Sequence, residues 1–335
     1  MLRNSISASD KPARLRLNMS INSLHPAFAS DASGLRAPGQ PREAASGAAD
    51  TARAHLPPAM PAIMLEPLVR ATLLEDLGRA GDITTDAIVD ADQRSRLRLV
   101  ARKAGVLAGL DLARLAFTLV DPAIQFVPHL RDGARLEPGR EIAALSGPAR
   151  GILTAERTAL NFLCHLSGVA SATAEIADAI RPYGARVTCT RKTMPGMRAV
   201  QKYAVRVGGG SNHRYGLDDA MLIKDNHVAL AGGIRQAVTR ARAAAGHLVK
   251  IELEVDTLAQ LEEALSLGVE AVLLDNMSLD ELRQAVAMAK GRAITEASGG
   301  VTPDTAPAIA ATGVDLIAIG WITHSARVLD IGLDV

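Results

Sequence analysis

The chain has 335 residues, 48% of them hydrophobic, and a formal net charge of +1. That is apolar material for one or two domains, with no general attraction to nucleic acid or anionic membrane. Aromatic residues make up 2% and cysteines number two, which argues against stacking platforms for single-stranded bases, a disulfide framework and a cysteine zinc site.

Residues 1–57 are rich in Ser, Ala, Gly and Pro without sustained periodicity, and carry seven Lys or Arg against four Asp or Glu. Such a segment buries too little apolar surface to offset its ordering entropy, so a disordered extension is expected. It lacks the apolar centre of a secretory signal, and its acidic residues argue against an organelle transit peptide. No apolar run reaches the roughly 18 residues of a membrane span. Two isolated cysteines, Cys164 and Cys189, fit a reducing compartment, so a cytoplasmic location is expected.

From Pro58 the pattern becomes globular. Leu65, Leu68, Val69, Leu73, Leu74 and Leu77 follow helical spacing, Gly78 and Gly81 end that helix, and Thr84-Thr85-Asp86 offers a turn or helix cap. Short alternating runs (RLRLV, IQFV, EIAAL) separated by Gly- and Pro-containing turns follow between Arg94 and Ala149. They predict a small mixed domain with an antiparallel sheet. Residues 151–181 carry a long helical pattern that bridges to what comes next.

Six apolar strand patterns then run into charged or glycine residues: ARVTCTRK, AMLIKDN, VKIELEV, AVLLDN, AITEASGG and LIAIG. Helical stretches separate them, which predicts an α/β fold with a parallel sheet and outer helices. Six units are too few for a closed eight-fold barrel, so an incomplete or smaller α/β barrel is expected. Function in such folds gathers at the carboxyl ends of the strands.

Those ends are charged. In IELEV, Ile251, Leu253 and Val255 share one face and Glu252 and Glu254 the other. The apolar face suits outer helices, so the glutamates point inward and need lysine or cation partners; an internal ion-pair network would satisfy them equally well. Asp275 ends the next strand. Carboxylates on adjacent strand ends suit a Mg²⁺ carried in with a phosphorylated substrate. Opposite them stand Arg191, Lys192, His213, Arg214 and Lys224, a cluster suited to carboxylate or phosphate. Gly208-Gly209-Gly210 gives backbone freedom for close ligand approach. Ser298-Gly299-Gly300 and Gly320, ahead of His324, suit phosphate binding by backbone N–H groups or simply tight strand-to-helix turns. Arg157 by itself reads as a solvated surface residue.

Taken together, EDLGRAGDITTDAIV (75–89), ERTALNFLCHLSGVAS (156–171), TRKTMPGMR (190–198), QKYAVRVGGGSNHRYGLDDAMLIKDNH (201–227), IELEV, LLDNM (273–277), EASGG (296–300) and IGWITHSA (319–326) resemble the quinolinate phosphoribosyltransferase family, also called carboxylating nicotinate-nucleotide pyrophosphorylase. The resemblance runs from about residue 60 to the C-terminus; Met194, Met197 and Trp321 are small departures that remove no charged motif residue. It implies an amino-terminal α/β sandwich over 58–165, completed by 326–335, and an α/β barrel over 166–325. It implies a homodimer in which one subunit's small domain caps the other's barrel, and transfer of phosphoribosyl from phosphoribosyl pyrophosphate to quinolinate with Mg²⁺. By the same resemblance Arg157 reaches the partner's site, and Thr190, Arg191, His213, Arg214 and Lys224 form the quinolinate pocket. Lys192, Glu254 and Asp275 lie near ribose, pyrophosphate and magnesium; Ser298, Gly299, Gly300 and Gly320 contact phosphate, with His324 nearby. The rivals are a molybdenum-transport-associated relative of the same fold, a Schiff-base aldolase using Lys192 or Lys224, and a phosphate-binding module without turnover.

Overall fold

The computed structural model describes residues 56–335; nearly all of the extension expected to be disordered, residues 1–57, lies outside the described residues. The first helix, Ala62–Leu77, buries Leu65, Val69 and Leu73 and ends at Gly78, whose φ of 56° suits glycine. The next helix, Ile83–Ile88, is capped two residues earlier than the Thr84-Thr85-Asp86 signal implies. Asp82 accepts the Thr85 amide, and Thr84 to Asp86 lie within the helix. An aspartate side chain reaches the N3 amide as well as a threonine does, and Gly81 before it ends the preceding turn.

The small sheet is built from β1 (Arg94–Ala101), β3 (Gln125–Pro128), β5 (Glu141–Pro148) and the C-terminal β12 (Ile331–Asp334), in the order β12-β1-β5-β3, with every pairing antiparallel. A minor ribbon pairs β2 (Gly105–Val106) with β4 (Arg135–Leu136). The helix Leu110–Val120 buries Leu112, Leu115, Ala116 and Phe117. Its N-terminal amides, Gly109 and Leu110, are satisfied by the half-buried Asp132 carboxylate, which also accepts the Tyr203 hydroxyl. Burial raises the Asp132 pKa against those hydrogen bonds.

The 32-residue helix Ala149–Ile180 unites the protein. It packs against the small sheet at one end and against β6 (Arg186–Thr188) and the helix Arg198–Val207 at the other. The C-terminal segment runs back along it, with the Leu329 amide donating to the Cys164 carbonyl before β12 joins the small sheet. Gly168 permits this crossing: a Cβ there would lie 2.2 Å from the Arg327 carbonyl oxygen. Gly168→Ala is therefore expected to lower the urea midpoint by an amount equivalent to about 1–3 kcal/mol, although alanine is the better helix former by roughly 1 kcal/mol. An unchanged midpoint would show that the segment shifts freely.

The six sequence-read strands all form. β6 is followed by β7 (Met221–Ile223), β8 (Ile251–Val255), β9 (Ala271–Asp275), β10 (Ile294–Ser298) and β11 (Leu316–Ala318). They make one parallel sheet in the order β6-β11-β10-β9-β8-β7. On its free side β6 meets a single parallel bridge, Thr188 to Ser211, so the sheet curls toward closure without β6 and β7 pairing directly. This is the incomplete barrel expected from six units. In β8, Ile251, Leu253 and Val255 are buried, as alternation requires of the face under the outer helices. No described helix is long and apolar enough to cross a membrane.

Gly208 and Gly210 have a structural reason other than ligand approach. A Cβ on Gly208 would fall 2.4 Å from the Ala170 carbonyl oxygen, and one on Gly210 2.8 Å from Thr173 Cγ2. The triple glycine lets its loop lie flat on the long helix.

Candidate active site

The parallel register brings the charged strand ends to one rim. β6 leads into Thr190, Arg191 and Lys192. The Lys192 amide donates to Thr190 Oγ1 at 2.9 Å, and the Lys192 carbonyl accepts from the buried Thr323 hydroxyl at 2.7 Å. The Lys192 side chain runs over Gly320, where a Cβ would stand 3.0 Å from its Cδ. Thr190, Lys192 and Gly320 thus converge at the tips of β6 and β11. His324 is exposed one turn beyond, its Nδ1 2.7 Å from Ser325 Oγ.

Arg191 and Arg214 form the centre of the cationic arc. Burial, then the neighbouring Arg191 charge, pulls the Arg214 pKa below the usual guanidinium range. The Nε atoms of both arginines are buried without a hydrogen-bond partner. Arg214 Nη1 donates to the Ala220 carbonyl at 3.1 Å. Arg198 contributes from behind, donating to the Arg191 and Tyr215 carbonyls at 3.4 and 3.2 Å.

On the acidic arc, the Lys224 ammonium at the end of β7 pairs with Glu254 Oε2 on β8, the lysine partner that the inward-facing glutamate requires. Asp275 ends β9 in register with Ser298 on β10, and its Oδ2 accepts the Asn276 side-chain amide at 2.7 Å. Asn276 takes a φ of 54° and donates its backbone amide to the Ser298 carbonyl at 2.9 Å. This explains Gly299, whose φ is 106° and whose Cβ would collide with Asn276 Oδ1 at 2.1 Å. Gly300 has a φ of 57°. Gly320, with a φ of −78°, needs no left-handed backbone; the close approach of Lys192 accounts for it instead.

Glu252, on the inward face with Glu254, finds its partner in His213 rather than in a lysine, with Oε2 2.8 Å from His213 Nε2. Glu296 on β10 lies behind, its Oε1 3.7 Å from the same nitrogen. Burial and the Glu252 charge push the Glu296 carboxyl up to about 9, against the pull of nearby Lys202. Lys202 is fully buried and donates to the His213 carbonyl at 3.0 Å and to Cys189 Sγ at 3.1 Å. Sequence alternation turned Glu252 inward without giving it a role at the site, and Glu296 and Lys202 were not among the sequence-derived site residues. Alternation in β8 and the position of Glu296 before SGG were available signals; Lys202 sits on an amphipathic helix and gave none.

Arg157 does not join this rim. It is exposed on the long helix and lines a separate cavity with Leu73, Asp76, Asp82, Leu153 and Thr154.

Residues 82–167 match the family described as quinolinate phosphoribosyl transferase, N-terminal domain, and residues 169–334 match its C-terminal domain. A probable nicotinate-nucleotide pyrophosphorylase [carboxylating] of Bacillus subtilis is 42% identical over 273 residues, covering 82% of this chain and 94% of that protein. The enzyme of that name from Mycobacterium leprae is 47% identical over 272 residues, covering 80% and 95%. The crystal structure of NadC from Streptococcus pyogenes superposes with a TM-score of 0.81 at 40% identity, covering 83% of this chain and 98% of that one. Two matched domains, relatives above 40% identity and a shared fold over nearly their whole length place this chain in the quinolinate phosphoribosyltransferase family.

Proposed function

We propose that this protein transfers the phosphoribosyl group of phosphoribosyl pyrophosphate to quinolinate with decarboxylation, giving nicotinate mononucleotide, CO₂ and pyrophosphate for de novo NAD synthesis. One observation carries the reading beyond family membership. Two neighbouring arginines, Arg191 just beyond β6 and Arg214 in the loop ahead of β7, hold buried, unpartnered Nε donors. Like charges kept together with unused donors call for an anionic ligand, and the forked guanidinium geometry matches carboxylate. A dicarboxylate fits two such arginines better than a monocarboxylate or a neutral amide.

In this reading Arg191 and Arg214, with Thr190, hold the quinolinate carboxylates. Lys192, Ser298, Gly299, Gly300, Gly320 and His324 line the phosphoribosyl pyrophosphate side. The ring nitrogen attacks ribose C1, the C1–O bond breaks and pyrophosphate leaves with its electron pair. Positive charge develops on the sugar, where Asp275 and Glu254 stabilise it. Holding both reactants in line supplies on the order of 7–11 kcal/mol of barrier lowering at best. The C2 carboxylate then departs as CO₂, its bonding pair stabilised by the cationic ring nitrogen, and C2 takes up a proton. No covalent enzyme intermediate is required.

Asp275 fits a Mg²⁺ that enters with the substrate: beyond the Asn276 amide its carboxylate is uncommitted, and few carboxylates plus phosphate oxygens are what this ion prefers. Glu254, held by Lys224, would complete the acidic side, and the bound ion would neutralise the leaving pyrophosphate. The free cysteines, Cys164 and Cys189, agree with residence in the cytoplasm.

The position of Arg157, away from the rim of its own chain, supports a homodimer in which this arginine completes the partner's site. Mixing Arg157→Ala subunits with Lys224→Ala subunits is then expected to recover activity to about a quarter of wild type, because random pairing makes half the dimers hybrid and each hybrid holds one intact site. No recovery after verified subunit exchange would refute the shared site. The function itself is tested by incubation with quinolinate, phosphoribosyl pyrophosphate and Mg²⁺. Nicotinate mononucleotide and CO₂ are expected in equal amounts; absence of both would favour a relative such as the molybdenum-transport-associated protein.

A further inference from the structure

Beneath the cationic arc, four ionisable side chains fill the barrel interior: His213, which the family resemblance places in the quinolinate pocket, and Lys202, Glu252 and Glu296, which have no assigned part in phosphoribosyl transfer. Three of them are nearly sealed from solvent, with side-chain exposures of 10% for His213, 13% for Glu252 and 3% for Glu296. Their hydrogen bonds define the histidine's state. His213 Nδ1 accepts the Arg214 backbone amide at 2.8 Å, so the ring proton sits on Nε2. There it is donated to Glu252 Oε2, also at 2.8 Å. Both ring nitrogens are thereby used within the protein. The backbone of the same residue is fixed from the other side, where its carbonyl accepts the Lys202 ammonium.

The consequence falls on the next residue. Arg214 is bound through its amide to the ring, through Nη1 to the Ala220 carbonyl, and lies within the field of Glu252, which favours its charged form. Its Nε stays unpartnered.

We propose that Glu252 is a positioning residue for substrate recognition: through His213 it holds the Arg214 guanidinium ready for an incoming carboxylate, with Glu296 as the back wall of the ring and Lys202 as its backbone clamp. His213 then also acts from behind Arg214, beyond the pocket role implied by the family resemblance. The inference rests on the dicarboxylate reading given above.

The ligand atoms of His213, Glu252 and Glu296 also lie within 4.8 Å of one another, close enough to surround a divalent cation. Three observations argue against that use. The ring proton occupies Nε2, the nitrogen nearest both carboxylates. The Lys202 charge is close enough to act on Glu296. The same ammonium already holds the His213 carbonyl.

The test uses the full chain, with each substrate varied in turn. Glu252→Leu is expected to raise KM for quinolinate at least about tenfold, the effect of losing one well-placed charged hydrogen bond. KM for phosphoribosyl pyrophosphate and kcat at saturation should stay within about threefold. Glu252→Gln keeps an acceptor for Nε2–H and should restore most of the quinolinate KM. Because the positioning runs through His213 and the direct field of Glu252 on Arg214 is the smallest of the influences on that guanidinium, the double variant Glu252→Leu/His213→Asn should be little worse than His213→Asn alone.

Equal movement of both KM values, additive losses in the double variant, or failure of glutamine to rescue a folded protein would each overturn the positioning role. Should the leucine variant not fold, imidazole nitrogen NMR on the wild type still decides: the Nε2–H tautomer supports the proposal and the Nδ1–H tautomer overturns it. Perturbation of the His213 signals by Mg²⁺ or Zn²⁺ alone would also overturn it, in favour of a metal site. A wild-type protein that forms no nicotinate mononucleotide would instead remove the transferase reading on which the proposal stands.

Discussion

Replacing Arg191 by alanine is expected to weaken quinolinate binding by at least about 100-fold, equivalent to about 3 kcal/mol. The reason is the buried, unpartnered Nε of Arg191 beside a second such arginine. A carboxylate placed against both gains charge-assisted hydrogen bonds in a site with little competing water. Removal of one partner leaves the other charge of the ligand desolvated and unmatched. In the proposed arrangement phosphoribosyl pyrophosphate lies on a different part of the rim, so its affinity should change by less than about threefold. Calorimetric titration of each ligand separately checks this, and parallel losses for both would remove Arg191 from the quinolinate pocket. Arg191→Lys should recover little, because an ammonium cannot offer the forked geometry.

Asp275→Asn should act on the other kinetic parameter. The Asp275 carboxylate is held by the Asn276 amide at the end of β9, opposite Ser298, and faces the sugar in the proposed reaction. Loss of its charge removes stabilisation that matters most as positive charge develops, so kcat should fall by about 100- to 1,000-fold, as for other preorganised electrostatic groups. Quinolinate affinity should scarcely move, since its proposed partners lie on the opposite arc. Steady-state kinetics with separate binding measurements distinguishes these effects. A lowered quinolinate affinity with intact kcat would place Asp275 in ground-state binding instead.

These two outcomes depend on a division of the rim that was partly legible beforehand. Alternation in IELEV turned Glu252 and Glu254 inward, because a strand has only two faces and Ile251, Leu253 and Val255 require the buried one. The charges after VTCT, MLI and AVLL marked the rim, since parallel strands all end on the same side. The helix cap at Asp82 was misplaced by two residues, because several short polar side chains in a row can each serve and only the chain path selects among them. Gly208 and Gly210 were read toward a ligand, whereas the long helix crowds them; the sequence distance from Ala170 and Thr173 hides that packing.

Sequence alone, through hydrophobic period and the order of charged motifs, determined the six strand–helix units, the antiparallel small sheet and the family to which the chain belongs. These are local or ordered features, and periodicity records them residue by residue. Which charge meets which was decided only in three dimensions. Lys224 pairs with Glu254 while Glu252 turns to His213. Glu296 is buried beside them, and Arg157 stands apart from the rim. Such pairings join residues tens of positions apart through strand register and barrel curvature, and their energies depend on burial that exists only once the barrel has folded.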